Sequence, residues 1–187
     1  MRIISGNFKG KKILQPKNKL TRPLKDLTKE SIFNIIKHSR LLDIKLENSN
    51  ILDLFSGVGS FGLECLSRGA ASVTFLENYE EVLTVLRKNI DALKQENYSR
   101  IIQKDIFAKN TLEALNNKFE IIFMDPPYKE KKLVDLLKTI IKLKLLKDDG
   151  IIIIHRHKKE EDKLPMEFNL IIEKNYGISK IIFGSYN

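Results

Sequence analysis

The sequence predicts an α/β fold, a mostly parallel, doubly wound sheet of seven strands with an antiparallel hairpin at one edge. Three observations predict it. From Ile51 onward, short apolar runs at residues 51–54, 73–77, 101–103, 119–124 and 151–155 alternate with stretches of helical periodicity. Such alternation implies parallel strands joined by right-handed crossovers. A glycine-rich turn, Gly57-Val58-Gly59-Ser60-Phe61-Gly62, separates the first run from the first helical stretch, as in sheets that bind nucleotides at their carboxyl edge. Two closing runs, 168–173 and 179–183, sit about Tyr176-Gly177 with no helix between them, and so read as an antiparallel hairpin.

Taken in order, Arg2-Ile3-Ile4-Ser5-Gly6 and Lys12-Ile13-Leu14 read as two short strands around the turn-rich Gly6-Asn7-Phe8-Lys9-Gly10, a basic hairpin. Thr21-Arg22-Pro23 breaks this pattern and leads into Asp26, a residue type suited to an N-cap. Ile32, Phe33, Ile35, Ile36 and Leu42 supply the apolar stripe of the helix that follows. Asn48-Ser49-Asn50 is a linker. It divides the chain into an N-terminal extension, residues 1–47, made of hairpin plus helix, and a catalytic domain, residues 48–187. Within that domain, residues 60–68 form a helix closed by Gly69, and Val82, Leu83, Leu86, Ile90 and Leu93 fall at helical spacing. Further helices are expected near 111–116 and over 133–146.

Composition excludes several classes. At 187 residues the chain fits one domain with a small appendage, and 42% hydrophobic against 30% charged content is globular rather than disordered. A single cysteine, Cys65, excludes an internal disulfide and fits a reducing compartment. No apolar run approaches membrane-spanning length, so a cytoplasmic protein with no membrane partner is the expectation. The net charge of +9 is unevenly placed. Residues 1–30 hold nine lysines and arginines against Asp26 and Glu30, a net +7 that leaves +2 for the other 157 residues. A polyanion contacted by the N-terminal arm follows from this. The alternative is a solvated basic tail.

Asp125-Pro126-Pro127-Tyr128 follows the fourth apolar run and carries the chemistry. An exocyclic amine on a nucleobase is a poor nucleophile because its lone pair is delocalised into the ring. Acceptors on both N–H bonds, the Asp125 carboxylate and the Pro126 carbonyl, favour a more pyramidal nitrogen. Pro127 restricts Pro126 to extended geometry and so presets that carbonyl. Tyr128 offers a face on which a base can stack. An ordinary strand-to-loop turn is the competing reading. Glu77 ends the second strand about 20 residues after Gly57, where a carboxylate takes a ribose hydroxyl. Asp53 precedes the glycine turn, where it would repel a diphosphate yet suits the cationic amino group and sulfonium of S-adenosylmethionine. Asp105 is placed to accept from an adenine amine. Each also has a plain structural reading: a strand-end cap for Asp53, a solvated strand end for Glu77, a helix N-cap before Ile106 for Asp105. All four carboxylates fall at carboxyl ends of parallel strands, where α/β sheets bind ligands.

Asp53-Leu54-Phe55-Ser56-Gly57-Val58-Gly59-Ser60-Phe61-Gly62-Leu63-Glu64, Leu66-Ser67-Arg68-Gly69-Ala70 and the later Asp-Pro-Pro-Tyr resemble the class I S-adenosylmethionine-dependent methyltransferases, which have a Rossmann-like fold. More narrowly, Met1-Arg2-Ile3-Ile4-Ser5-Gly6, Lys9-Gly10, Thr21-Arg22-Pro23 and Lys29-Glu30 through Phe33-Asn34 resemble the RsmD family, bacterial enzymes that methylate a guanine N2 of 16S ribosomal RNA. The resemblance spans essentially the whole chain. Leu24 stands where the family usually has threonine, and Leu27 where it has arginine. The resemblance implies a cofactor site lined by Asp53, Gly57, Gly59, Glu77 and Asp105 with the flanking Phe55, Ser56, Asn78 and Ile106. It implies a base-binding loop of Asp125, Pro126, Pro127 and Tyr128, and an arm in which Arg2, Lys9, Lys11, Lys12 and Arg22 hold RNA phosphates. The implied partner is 16S rRNA within a 30S subunit or assembly intermediate, met by a monomer.

Three alternatives stay open at this point. An adenine-N6 methyltransferase of DNA or RNA shares the pocket, an NAD-dependent oxidoreductase shares the glycine turn, and a non-catalytic RNA-binding module would keep the basic arm. His155-Arg156-His157 reads as a solvated strand end, with an RNA contact by Arg156 as the alternative. Two histidines without a third ligand do not make a zinc site, and no metal is expected. Cys65, on an apolar helix face, reads as core.

Overall fold

The computed structural model describes residues 1–16 and 24–186; the expectations on Thr21-Arg22-Pro23 lie outside them. Among the described residues, seven strands form one sheet: β1 (Asn50–Leu54), β2 (Ser72–Glu77), β3 (Ser99–Gln103), β4 (Phe119–Met124), β5 (Leu146–His157), β6 (Asn169–Tyr176) and β7 (Ser179–Ser185). Their order is β3-β2-β1-β4-β5-β7-β6. The first five are parallel, and β7 runs antiparallel between β5 and β6. The α/β class, the seven strands and the antiparallel edge hairpin are as predicted. The chain winds outward from β1 to β3 and then restarts at β4 on the other side of β1. Leu54 and Met124 are register partners at this reversal, so Phe55 and Asp125 leave the sheet side by side. Open α/β sheets bind ligands at such a switch point.

Among the described residues, four α-helices cover the sheet: α1 (Asp26–His38), α2 (Ser60–Ser67), α3 (Glu80–Leu93) and α4 (Leu133–Lys142). Alternate strand residues enter two cores. Ile51, Val73, Phe75, Ile121, Phe123 and Ile153 pack with α1, α2, α3 and the N-terminal segment, while Leu52, Leu76, Ile122, Met124 and Ile154 pack with α4. Burial on both faces explains why these strands read as unbroken apolar runs.

The N-terminal strands shrink to a single bridge between Arg2 and Lys12, because neighbouring donors go elsewhere. The N–H groups of Ile4 and Ser5 donate to the Glu64 carboxylate at 2.7 and 2.9 Å, and that of Leu14 to Asn89 Oδ1 at 2.8 Å. The N–H groups of Ile3 and Ile13 still donate across the turn to the Lys11 and Met1 carbonyls at 2.9 and 3.1 Å, so the segment is stitched onto α2 and α3 as well as onto itself. Asp26 is the first helical residue, not the cap. Lys25 occupies the cap position without a side-chain bond, and Asp26 favours the helix start by its charge alone. No helix forms over 111–116. Asn110 adopts φ +68°, and Thr111 Oγ1 donates to the Asp105 carbonyl at 2.8 Å, which replaces a helical turn too short to be stable alone. α4 ends at Lys142, before Lys144 at φ +50°, and β5 begins at Leu146, five residues ahead of its apolar run. Among the described residues, no helix is long and apolar enough to cross a membrane.

Candidate active site

At the switch point lies a cavity of about 670 Å3, within the range of small-molecule and cofactor sites. Its walls include the ends of β1, β2 and β4, the turn after β3, and Met1, Gln15 and Leu24 of the N-terminal segment.

One wall is the glycine turn. Gly59 (φ +82°) starts α2, where a Cβ would stand 2.5 Å from Leu86 Cδ1; it lies behind the cavity lining. Gly57 (φ +53°) has nothing within 4 Å of where a Cβ would sit, so bare backbone faces the cavity. Phe55, which has a side chain, also adopts a left-handed φ of +59°, a conformation that concentrates at functional sites. Its ring lies 5.9 Å from that of Phe107.

Asp53 is 1% exposed. Its Oδ2 accepts from Gly62 N–H at 3.0 Å, while Oδ1 is buried with no partner among the described residues. Burial raises the Asp53 pKa well above the ordinary carboxyl value. The Gly62 N–H opposes this, and the Asp125 and Glu77 carboxylates add to it. Such a group gains most from a cation placed in the cavity. The carboxylate of Glu77 accepts Gly57 N–H at 2.9 Å through one oxygen and the Asn78 and Tyr79 N–H groups at 2.9 and 3.0 Å through the other, which fixes the glycine turn to the end of β2. Asp105 is exposed and accepts Phe107 N–H at 2.9 Å; it caps a turn, because no helix follows. Asp53, Phe55, Ser56, Gly57, Glu77, Asn78, Asp105 and Ile106 all line the cavity.

Asp125, Pro126, Pro127 and Tyr128 form the facing wall. Beyond β4, Asp125 N–H donates to the Leu54 carbonyl at 3.4 Å, which ties the loop to the end of β1. Asp125 Oδ1 lies 2.7 Å from His155 Nδ1, and His155 Nε2 lies 2.9 Å from Ser179 Oγ. Arg156 is 1% exposed. It pairs with Asp162 through Nε and Nη2 at 2.8 and 2.9 Å, and donates to the carbonyls of Pro127, Tyr128 and Glu130 at 3.2 to 3.4 Å. The Tyr128 ring meets His157 edge-on at 4.9 Å.

The expectation that His155-Arg156-His157 is a solvated strand end is therefore wrong for the first two residues. They are buried because β5 runs beyond its apolar core alongside the Asp-Pro-Pro-Tyr loop, where a buried guanidinium can satisfy three loop carbonyls at once. The signal was present: these residues end the fifth parallel strand, the location that made Asp53, Glu77, Asp105 and Asp125 candidates. Met1, Gln15 and Leu24 had no comparable signal. Cys65 is fully buried in α2, and burial pushes its thiol pKa well up, in keeping with a core residue.

Arg2, Lys9, Lys11 and Lys12 are all exposed on the N-terminal turn, outside the cavity; Arg22 lies outside the described residues. Asn89, 2% exposed, bonds both Leu14 and the Val58 carbonyl, so the arm and the glycine turn share one side chain. Phe61 stacks between Phe33 of α1 and Phe123 of β4, with ring centres 5.2 and 3.9 Å away.

The family model described as "Conserved hypothetical protein 95" matches residues 1–185. The chain belongs to that family. It is the RsmD family that the motifs pointed to. Among curated relatives, the chain is 30% identical over 183 residues to "Ribosomal RNA small subunit methyltransferase D" of Haemophilus influenzae, covering 95% of this chain and 90% of the relative. It is 35% identical to the protein of the same name from Buchnera aphidicola (subsp. Acyrthosiphon pisum), over 92% and 86% of the two chains. A solved structure of yhhF from Escherichia coli, provisionally named a methyltransferase, superposes with a TM-score of 0.83 at 25% identity, over 100% of this chain and 98% of that one. RsmD-type relatives thus match the N-terminal segment as well as the glycine turn.

Proposed function

We propose that this protein methylates the exocyclic N2 amine of a guanine in 16S ribosomal RNA, with S-adenosylmethionine as the methyl donor. The observation that carries this reading is that one cavity joins two complementary walls: Asp53, a buried carboxylate with an oxygen in want of a cation, and Asp125, whose carboxylate is held at the mouth of a proline-braced loop. Membership of the RsmD family supports it.

In this reading Asp53 attracts the donor's positive charge, Gly57 lets backbone approach the donor closely, Glu77 and Asn78 hold its ribose, and Asp105 with Ile106 hold its adenine. Phe55 and Ser56 complete that wall, and Gly59 shapes the turn. Asp125 and the Pro126 carbonyl accept the two N–H bonds of the target amine, and Tyr128 stacks on the base. When bound, S-adenosylmethionine supplies an electrophilic methyl carbon, which bonds to the amine nitrogen as its bond to sulfur breaks. The nitrogen gives up one proton to Asp125 or water. Positioning supplies most of the acceleration, since near-attack geometry contributes about 7–11 kcal/mol. Residues 1–47 act as an RNA-binding extension, with Arg2, Lys9, Lys11, Lys12 and Arg22 on phosphates, and a cytoplasmic monomer works on the rRNA of a 30S particle.

The test is transfer of labelled methyl from S-adenosylmethionine to 30S subunits and naked 16S RNA from cells lacking the endogenous activity, with the product nucleoside identified by mass. N2-methylguanosine is expected, and Asp125→Ala is expected to abolish turnover while sparing donor binding. N6-methyladenosine as the product, or no transfer to either RNA, would overturn the proposal.

A further inference from the structure

We infer that His155 is a positioning residue: fixed from behind by Ser179, it holds the Asp125 carboxylate so that one oxygen is reserved for the target amine. The inference rests on the amine-orienting role of Asp125 proposed above.

The three side chains lie in series from β7 through β5 to the loop after β4. Ser179 Oγ is 2.9 Å from His155 Nε2, and His155 Nδ1 is 2.7 Å from Asp125 Oδ1. Ser179 is 3% exposed and His155 5%, while the Asp125 side chain is 20% exposed. The donor and acceptor roles follow from the groups themselves. An ionised carboxylate can only accept, so Nδ1 carries the proton and donates to Oδ1. Nε2 is then the acceptor in the neutral ring, and the Ser179 hydroxyl donates to it.

These residue types match a serine hydrolase triad, but the exposure runs the other way. In a triad the serine faces substrate and the carboxylate is buried behind the imidazole. Here the serine is the buried end and does not line the cavity, whereas Asp125 and His155 do. A nucleophilic serine is thereby excluded. The arrangement acts on the carboxylate instead.

That action is geometric. A free carboxylate turns about its terminal torsion, which has a broad, two-fold profile. A charge-assisted bond at 2.7 Å to a buried ring narrows it. With Oδ1 occupied by His155, Oδ2 remains for an N–H of the base. Asp125 N–H is tied to Leu54 and the carbonyls of Pro127, Tyr128 and Glu130 to Arg156, so the loop backbone is held on both sides of Pro126, and His155 restrains the carboxylate torsion.

The experiment uses the full-length protein with His155→Leu, His155→Asn and Ser179→Ala. Asparagine places an N–H near the position of Nδ1, and leucine does not. His155→Leu is expected to lower kcat for methyl transfer by about 100-fold, the usual cost of a misplacement of about 1 Å, with the Kd for S-adenosylmethionine unchanged. His155→Asn should recover most of that loss, and Ser179→Ala should fall between. In long-range 1H–15N spectra of the wild-type protein at mildly alkaline pH, His155 should carry its proton on Nδ1, a preference that Ser179→Ala weakens. A His155→Leu variant with wild-type kcat, or an Nε2–H tautomer, would overturn this inference alone. Absence of methyl transfer by the wild type would overturn the proposed function and this inference with it.

Discussion

Lys29 Nζ lies 3.4 Å from Glu64 Oε2, and neither side chain is exposed to solvent. The pair joins α1 to α2, and further bonds reach the N-terminal segment: Lys29 donates to the Arg2 carbonyl at 2.8 Å, while Glu64 accepts the N–H groups of Ile4 and Ser5; Glu64 also accepts Arg68 Nε from the end of its own helix at 2.8 Å. Burial lowers the Lys29 pKa, and Glu64 and Asp26 oppose that shift. An ammonium left in this place without its carboxylate is expensive, and removing one partner of a buried pair costs about 3–5 kcal/mol. Glu64→Gln should therefore lower stability by about that amount in urea unfolding, and Lys29→Met added to it should recover a large part. If the double variant proved no more stable than the single one, the loss would lie in the Ile4 and Ser5 bonds rather than in the stranded charge.

A second fastening acts on the base-binding loop. Arg156 satisfies three loop carbonyls while paired to Asp162, a geometry that needs the planar, five-donor guanidinium. Arg156→Met should cost about 3–5 kcal/mol and accelerate amide exchange over residues 128–130. Arg156→Lys keeps the charge but not the fork, so the loop should loosen while the global stability falls less. Exchange rates in the loop that stayed at wild-type values in both variants would show that it is held by other contacts.

Arg156 also marks where sequence reading ran out. The alternation of strands and helices, the antiparallel edge hairpin and the carboxylates at 53, 77, 105 and 125 were legible because apolar runs with fixed turn residues dictate backbone course, whereas the strand order emerges only in the fold. The destination of a polar side chain depends on what packs beside it. His155 and Arg156 look solvated in sequence and are buried only because β7 inserts next to β5 and the loop after β4 folds over their ends. The expected helix at 111–116 failed for a local reason, since the left-handed Asn110 and one side-chain bond from Thr111 override a weak propensity. The pairing of Ile4 and Ser5 with Glu64 spans about 60 positions, beyond any periodic signal.

The exposed Arg2, Lys9, Lys11 and Lys12 give the arm a measurable signature if it holds RNA phosphates. Each phosphate contact contributes about 0.7–0.9 to the slope of log K against log salt concentration. Replacing all four with alanine should reduce that slope by about 3 and weaken binding to specific and unrelated RNA alike, with S-adenosylmethionine affinity unaltered. An unchanged slope in filter-binding titrations would move the RNA contact away from this face.

Asp53 sets stability against function in one side chain. Its pKa is higher in the folded protein than in the unfolded chain, mainly through burial, so the folded state binds the proton more tightly. As pH rises from the ordinary carboxyl value near 3.8 through the raised value, stability from this group declines, and above that window the cost of an ionised, half-satisfied carboxylate is fully present. Asp53→Asn keeps an acceptor for Gly62 N–H and carries no charge. At neutral pH it should be more stable than the wild type by about 1–2 kcal/mol, a difference that vanishes in acid. S-adenosylmethionine at about 100 times its Kd should stabilise the wild type by about 2.7 kcal/mol, and the variant by much less, because the oxygen that met the cation is now an amide. Thermal unfolding with and without the donor, over a series of pH values, reads both effects at once. A variant that lost stability at neutral pH, or kept the full response to the donor, would mean that Asp53 is a structural cap and that the donor's charge is met elsewhere.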